Sequence, residues 1–234
     1  STDFSIGNAL QNCKEPVKNG LSDGTCGFTR DVLYSSYSRR KRGMTMNTVL
    51  LHCCCAPCSL SCIDPLRAEG IEAVAFWYNP NIHPWKEYQA RRDCLLEYAP
   101  TIGMEIRVRE DYGLRDFVRH VAEDIDHRCA YCYEHRIEGT ARYAAENGFS
   151  AFTTTLLASL YQDHEGIARA AEKYAAEYGV EFLYRDFRPN FRAGNQRARE
   201  LGFYMQKYCG CVFSEQDRYQ KQIERDRVRF QCAP

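Results

Sequence analysis

Thr48-Val49-Leu50-Leu51-His52-Cys53-Cys54-Cys55-Ala56-Pro57-Cys58 is the stretch that decides how this chain is read. Thr48 to Leu51 reads as a short buried strand, and the segment from Pro57 to Arg67 reads as a helix. Four thiols therefore fall at a strand-to-helix turn. In open α/β sheets the carboxyl ends of the strands form the crevice where ligands bind, so this turn is a position for chemistry. The usual occupant is a glycine-rich loop that cradles phosphate with backbone N–H groups, but this turn contains no glycine. Its sequence points to metal binding or to reaction through sulfur.

Outward from the turn the elements alternate. Strands are expected over 71–78, 105–108, 149–157 and 180–184, and helices over 85–98, 113–123, 129–147, 164–178 and 192–201. Gly148 and Gly179 stand where two of these helices stop. Short connections between alternating strands and helices imply an α/β fold: a mainly parallel, doubly wound, Rossmann-like sheet of about five strands with helices on both faces. A C-terminal helical extension carrying cysteines follows. Residues 1–45 read as a polar, loosely ordered extension ending in Arg39-Arg40-Lys41-Arg42, residues 46–219 as a single metal-binding catalytic domain, and residues 220–234 as a basic tail, helical from about Arg218.

Lys plus Arg and Asp plus Glu are each 31 among 234 residues, so no global field advertises a nucleic-acid partner; such a partner would need a local basic patch. The 13 cysteines occur without a secretory signal or a long apolar run, which argues against a disulfide-stapled extracellular domain and against a membrane partner. A cytoplasmic protein whose clustered thiols bind metal or do catalysis is the expectation.

The second thiol group is Cys129-Ala130-Tyr131-Cys132. Residues three apart share a helix face, and the first turn of a helix favours thiolate, so both sulfurs can reach one metal; a redox disulfide or half of a zinc site has the same spacing. The third is Cys209-Gly210-Cys211, where glycine lets the backbone turn both sulfurs toward one point. Cys54, Cys55, Cys58, Cys129, Cys132, Cys209 and Cys211 make seven potential ligands. A tetrahedral zinc or one iron–sulfur cluster uses four, so seven suggests a four-cysteine cluster plus a second metal with three protein ligands and an open position. Thr153-Thr154-Thr155 at a strand end, with Asp163-His164 beyond, could bind a polar substrate and supply a proton, and Asp163 is also a helix N-cap. His52 is a ligand or a proton donor. Cys62 and Cys94 read as packed hydrophobes, Cys53 as pointing away from Cys54, and Cys13, Cys26 and Cys232 as bystanders.

Taken together, His52-x-Cys54-Cys55-Ala56-Pro57-Cys58, Tyr78-Asn79-Pro80-Asn81-Ile82-His83-Pro84, Cys129-x-x-Cys132-Tyr133, Thr153-Thr154-Thr155-Leu156 and Gln206-Lys207-Tyr208-Cys209-Gly210-Cys211 resemble the QueH type of epoxyqueuosine reductase, from about Met46 to Tyr219. The resemblance implies a HUP-like fold and the last step of queuosine synthesis: reductive removal of the epoxide oxygen of epoxyqueuosine at the tRNA wobble position, with electrons from an unidentified donor. It also implies a 4Fe-4S cluster beside a mononuclear iron. Some members carry an aspartate where this chain has Cys58, and Leu160 stands where a proline is common. His52, His164 or a bound water would deliver the proton. Arg91, Arg92, Arg107, Arg109, Lys207, Arg218, Lys221 and Arg225 are expected to meet phosphate, and Tyr78, Trp85 or Tyr208 to stack on the base. The rival readings are a zinc-stabilised RNA-binding module without catalysis and a thiol–disulfide oxidoreductase built on Cys129 and Cys132. A nucleotide-activating RNA-thiolation enzyme is disfavoured by the missing phosphate loop.

Overall fold

The structure is a computed structural model that describes residues 47–231, all within the second of two units, Gly43–Pro234. The expected extension over 1–45, with Cys13 and Cys26, lies outside the described residues, as does Cys232.

Strand β1 (Thr48–His52) is buried over its last four residues, the near-continuous apolar run that a strand covered on both faces requires. Helix α1 (Ala56–Ala68) leads to β2 (Glu72–Trp77), and α2 (Trp85–Thr101) to β3 (Ile106–Val108). Then α3 (Leu114–Val121) and α4 (Arg128–Glu146) cross back to β4 (Ala151–Thr154), α5 (His164–Tyr178) reaches β5 (Glu181–Phe182), and α6 (Phe191–Glu200) and α7 (Val212–Gln231) close the chain. All strand pairings are parallel and the order is β3-β2-β1-β4-β5. Right-handed crossovers run outward from β1 in one direction and from β4 in the other, so α1 and α2 cover one face and α4 and α5 the opposite face. The packing agrees: α1 lies on α2 and α6, while α4 lies on α5 and α3. The carboxyl ends of β1 and β4 therefore flank the topological switch point, where an open sheet leaves its crevice.

Two expected boundaries move. The strand expected to run to Leu157 ends at Thr154, whose Oγ1 accepts the Leu156 N–H at 3.2 Å and turns Thr155–Ala158 into a 3-10 helix. The helix expected from about Arg218 starts earlier, as α7 runs unbroken from Val212 to Gln231. No helix among the described residues is long and apolar enough to cross a membrane.

His52 ties the three central strands together at the rim. Its Nε2 lies 3.0 Å from the Tyr78 carbonyl, which can only accept, so Nε2 carries the hydrogen and Nδ1 accepts from the Thr154 hydroxyl at 2.8 Å. The ring is fully buried, and burial, aided by Arg136, lowers its pKa to about 4. His83, also buried, is lowered to about 4 by burial. On the same side, Tyr78 lies flat against α4 because Gly139 has no Cβ; one built there would sit 2.2 Å from Tyr78 Cε1.

Both histidines have folded pKa values below the value of about 6.5 expected in the unfolded chain. Their contribution is complete above about pH 6.5 and is lost as pH falls toward 4, by at most about 3 kcal/mol each. Urea midpoints should therefore decline across that window, with a shallower slope for His52→Gln; a profile flat from neutrality to about pH 4 would contradict the buried neutral rings.

Candidate metal centre

The turn after β1 places three sulfurs together. Cys55 is the N-cap of α1, with an extended backbone, and its Sγ accepts the Cys58 N–H at 3.4 Å in place of the usual hydroxyl or carboxylate. That cap turns Cys58 back onto Cys55. The Sγ atoms of Cys54 and Cys55 are 3.8 Å apart, and the ligand atoms of Cys54, Cys55 and Cys58 all lie within 4.8 Å of one another, buried. Thr155 reaches across the switch point from the end of β4: its Oγ1 accepts the Cys54 N–H at 3.1 Å and donates to Cys54 Sγ at 3.3 Å. Hydrogen bonds from Cys55 and Cys58, against burial and with help from Thr155 and Arg136, hold the Cys54 thiol well below its usual range. Cys53 is outside the group, buried in the core with its Sγ on the Leu51 carbonyl; Cys62 and Cys94 pack as hydrophobes.

Cys129, Cys132, Cys209 and Cys211 lie in one neighbourhood, although among the described residues only Cys54, Cys55 and Cys58 bring their ligand atoms within 4.8 Å of one another. The first turn of α4 carries one pair and the loop into α7 the other, and all four lie close enough to act electrostatically on one another. Burial pushes Cys132 up to about 12; Arg136 opposes this, and the thiols of Cys209, Cys211 and Cys129 add to it. The Cys209–Cys211 loop is held by the segment after β2: His83 N–H donates to the Gly210 carbonyl at 2.8 Å, and Tyr208 Oη donates to the His83 carbonyl at 2.7 Å. Arg91 completes the clamp, donating to the carbonyls of Cys209 and Tyr208 while paired to Glu87 at 2.7 Å. Gly210 has φ +153, a conformation that other residues rarely adopt.

Arg136 joins the two groups. It is 2% exposed, pairs with no carboxylate among the described residues, and its Nη2 donates to Cys132 Sγ at 3.1 Å. Burial opposes its charge, and the thiols of Cys132, Cys209 and Cys54 outweigh burial and raise its pKa. A buried cation of this kind needs an anion, and thiolates or a thiolate-ligated metal are the anions within reach. The donor set therefore suits a thiophilic metal centre. Arg136 was not singled out from the sequence, although it lies one helical turn beyond Cys132.

The expected proton donors are placed differently from one another. His52 has both ring nitrogens engaged, with the Thr154 hydroxyl and the Tyr78 carbonyl at the strand ends. Asp163 is exposed and caps α5, its Oδ1 accepting the Gly166 N–H at 3.0 Å. His164 donates from Nε2 to the Ser159 carbonyl at 3.1 Å and leaves Nδ1 without a partner. Two expected RNA contacts are corrected: Arg91 and Tyr78 are each 1% exposed and occupied inside the protein. Arg92 and Arg107 are paired to carboxylates, Arg109 lies over the Tyr78 ring, and Trp85, Lys207, Arg218, Lys221 and Arg225 are exposed.

Residues 49–217 match the family model described as epoxyqueuosine reductase QueH. Among curated relatives, an epoxyqueuosine reductase QueH of Dehalococcoides mccartyi is 35% identical over 74% of this chain and 95% of its own length. Proteins of the same name from Thermotoga maritima and Histophilus somni are 36% and 38% identical, covering 79% and 73% of this chain and 98% and 73% of theirs. With the family model covering most of the chain and the relatives aligned along most of their own length, this protein belongs to the QueH family of epoxyqueuosine reductases and is an oxidoreductase.

Proposed function

We propose that this chain reduces the epoxide of epoxyqueuosine in tRNA to give queuosine. Two electrons and two protons enter, both C–O bonds of the epoxide break, a carbon–carbon double bond forms and water leaves. Cys129, Cys132, Cys209 and Cys211 would hold a 4Fe-4S cluster, and Cys54, Cys55 and Cys58 a mononuclear iron with a position left for substrate. Bound there, the cluster would supply electrons singly and the iron would serve as a Lewis acid. The observation that supports this reading most is the buried group of Cys54, Cys55 and Cys58, with their sulfurs within 4.8 Å of one another, and a buried Arg136 on which the thiols of Cys132, Cys209 and Cys54 all act.

The chain's own residues have separable tasks. Arg136 neutralises thiolate charge between the two groups, and the Thr155 hydroxyl orients Cys54. Of the two histidines expected as proton donors, His164 is the one whose Nδ1 has no partner among the described residues and so remains available to a substrate or water; Asp163 fixes the helix start that carries it. The exposed bases on α7 and Lys207 would meet phosphate and Trp85, 41% exposed, would stack on a base, so binding would weaken with salt. This chemistry suits a cytoplasmic enzyme fed by a separate electron donor.

Two measurements follow. Anaerobically prepared, iron-loaded protein with dithionite and epoxyqueuosine-containing tRNA should yield a nucleoside lighter by one oxygen in mass spectra of the digest; iron-loaded protein that leaves the epoxide intact would refute the activity. Arg136→Met should lower both iron retention and turnover, the latter by about tenfold or more, with partial rescue by Arg136→Lys. Unchanged iron content in Arg136→Met would show that the guanidinium is not the counter-charge of the centre.

A further inference from the structure

Each sulfur of Cys54, Cys55 and Cys58 receives a hydrogen bond from a nitrogen or hydroxyl of the protein. Cys54 has the Thr155 hydroxyl, just beyond β4, at 3.3 Å, and Cys55 has the Cys58 N–H, inside the turn itself, at 3.4 Å. Cys58 has Gln206, whose side-chain Nε2 stands 3.8 Å from its Sγ. Gln206 lies between α6 and α7, three residues before Cys209, so one loop carries both a donor for Cys58 and two of the remaining thiols.

That residue is held from both sides. Two positions earlier Tyr204 Oη donates to Glu87, and Met205 packs against the core. Two positions later Tyr208 Oη donates to the His83 carbonyl at 2.7 Å, while Arg91 donates to the Tyr208 carbonyl at 2.9 Å. With its neighbours fixed in this way, the half-buried amide is aimed at Cys58 before anything binds there. A sulfur that ligates a metal can only accept, so the amide turns an N–H to Cys58 and its oxygen away. Oε1 is left buried with no hydrogen-bond partner among the described residues, and a water or hydroxyl entering beside Cys58 would meet it.

We propose that Gln206 is a positioning residue of the three-thiol site: its amide N–H fixes Cys58 as the third ligand and so governs how firmly a single iron is held there. This role rests on the metal set proposed above. Outer donors orient the ligands they touch, and losing one weakens a metal site by about tenfold to a hundredfold. Because the donor sits on the loop that carries Cys209 and Cys211, the same anchors that place those thiols also place the donor on Cys58.

Release of the single iron, rather than turnover, reports on this role. Anaerobically iron-loaded native protein, Gln206→Leu and Gln206→Ala are mixed with the ferrous chelator ferrozine, and the rate of iron transfer is read beside acid-labile sulfide. Both variants should give up about one iron per chain about tenfold faster than native protein while keeping about four sulfides, which shows that the loop still holds Cys209 and Cys211. Acetamide, which returns an N–H to the space opened in Gln206→Ala, should slow that release; N,N-dimethylacetamide, which has no N–H to give, should not. Where Gln206→Leu loses sulfide together with iron, Gln206→Ala and the two amides decide the matter. Unchanged release in both variants, equal rescue by the two amides, or loss of sulfide from both variants would overturn the proposal, the last by assigning Gln206 to folding of the loop. Protein that releases and retains iron as expected but leaves the epoxide intact would refute the reaction alone; protein that turns over tRNA with iron release unmoved in both variants would refute the role of Gln206 alone.

Discussion

A guanidinium buried without a carboxylate has to find its counter-charge elsewhere, and in this protein Arg136 finds it among thiols. Removing an arginine from water costs several kcal/mol unless an anion is close and its donors are used. Cys132 accepts directly at 3.1 Å, and the charges of Cys209 and Cys54 act on the same group. The cation thus favours ionised sulfur on both sides of itself. Two thiolate sites crowded together would repel each other; with Arg136 between them, part of that repulsion becomes attraction.

The parallel sheet explains how distant stretches of chain come to share that charge. Reversal of the strand order between β1 and β4 opens a crevice, and the turn after β1 fills it with Cys54, Cys55 and Cys58. Helix α4 returns across the opposite face and presents Cys129 and Cys132 from its first turn. The Cys209–Cys211 loop has no strand to place it, so hydrogen bonds from His83, Tyr208 and Arg91 do so. His52 and Thr155 then hold the ends of β1 and β4 in register around the sulfurs. The architecture and the family belong together: the matched segment 49–217 contains all seven thiols of the two groups.

Much of this was legible in the sequence because local signals carried it. The apolar run before His52, the glycines after two helices and the three spaced cysteine groups each have a short-range physical cause, and each is found where the pattern places it. Interactions made at a distance were less visible. Arg91 looked like any surface cation until Glu87 and the carbonyls of Tyr208 and Cys209 enclosed it. Tyr78 looked like a stacking platform, but Gly139 lets α4 cover it. Thr154 cut a strand short through one hydroxyl, a competition that strand propensity does not register. Arg136 did leave a trace, since a residue four beyond a helical cysteine shares its face; only the structure shows that it is buried and meets no carboxylate among the described residues.

The central claim is that seven cysteines divide as four and three, and metal analysis of two single variants tests it most directly. Anaerobically purified native protein should carry about five iron and about four acid-labile sulfides per chain. Cys58→Ala should keep about four iron and about four sulfides with the cluster absorption intact, whereas Cys211→Ala should lose the sulfide. Loss of sulfide in Cys58→Ala, or its full retention in Cys211→Ala, would contradict the division.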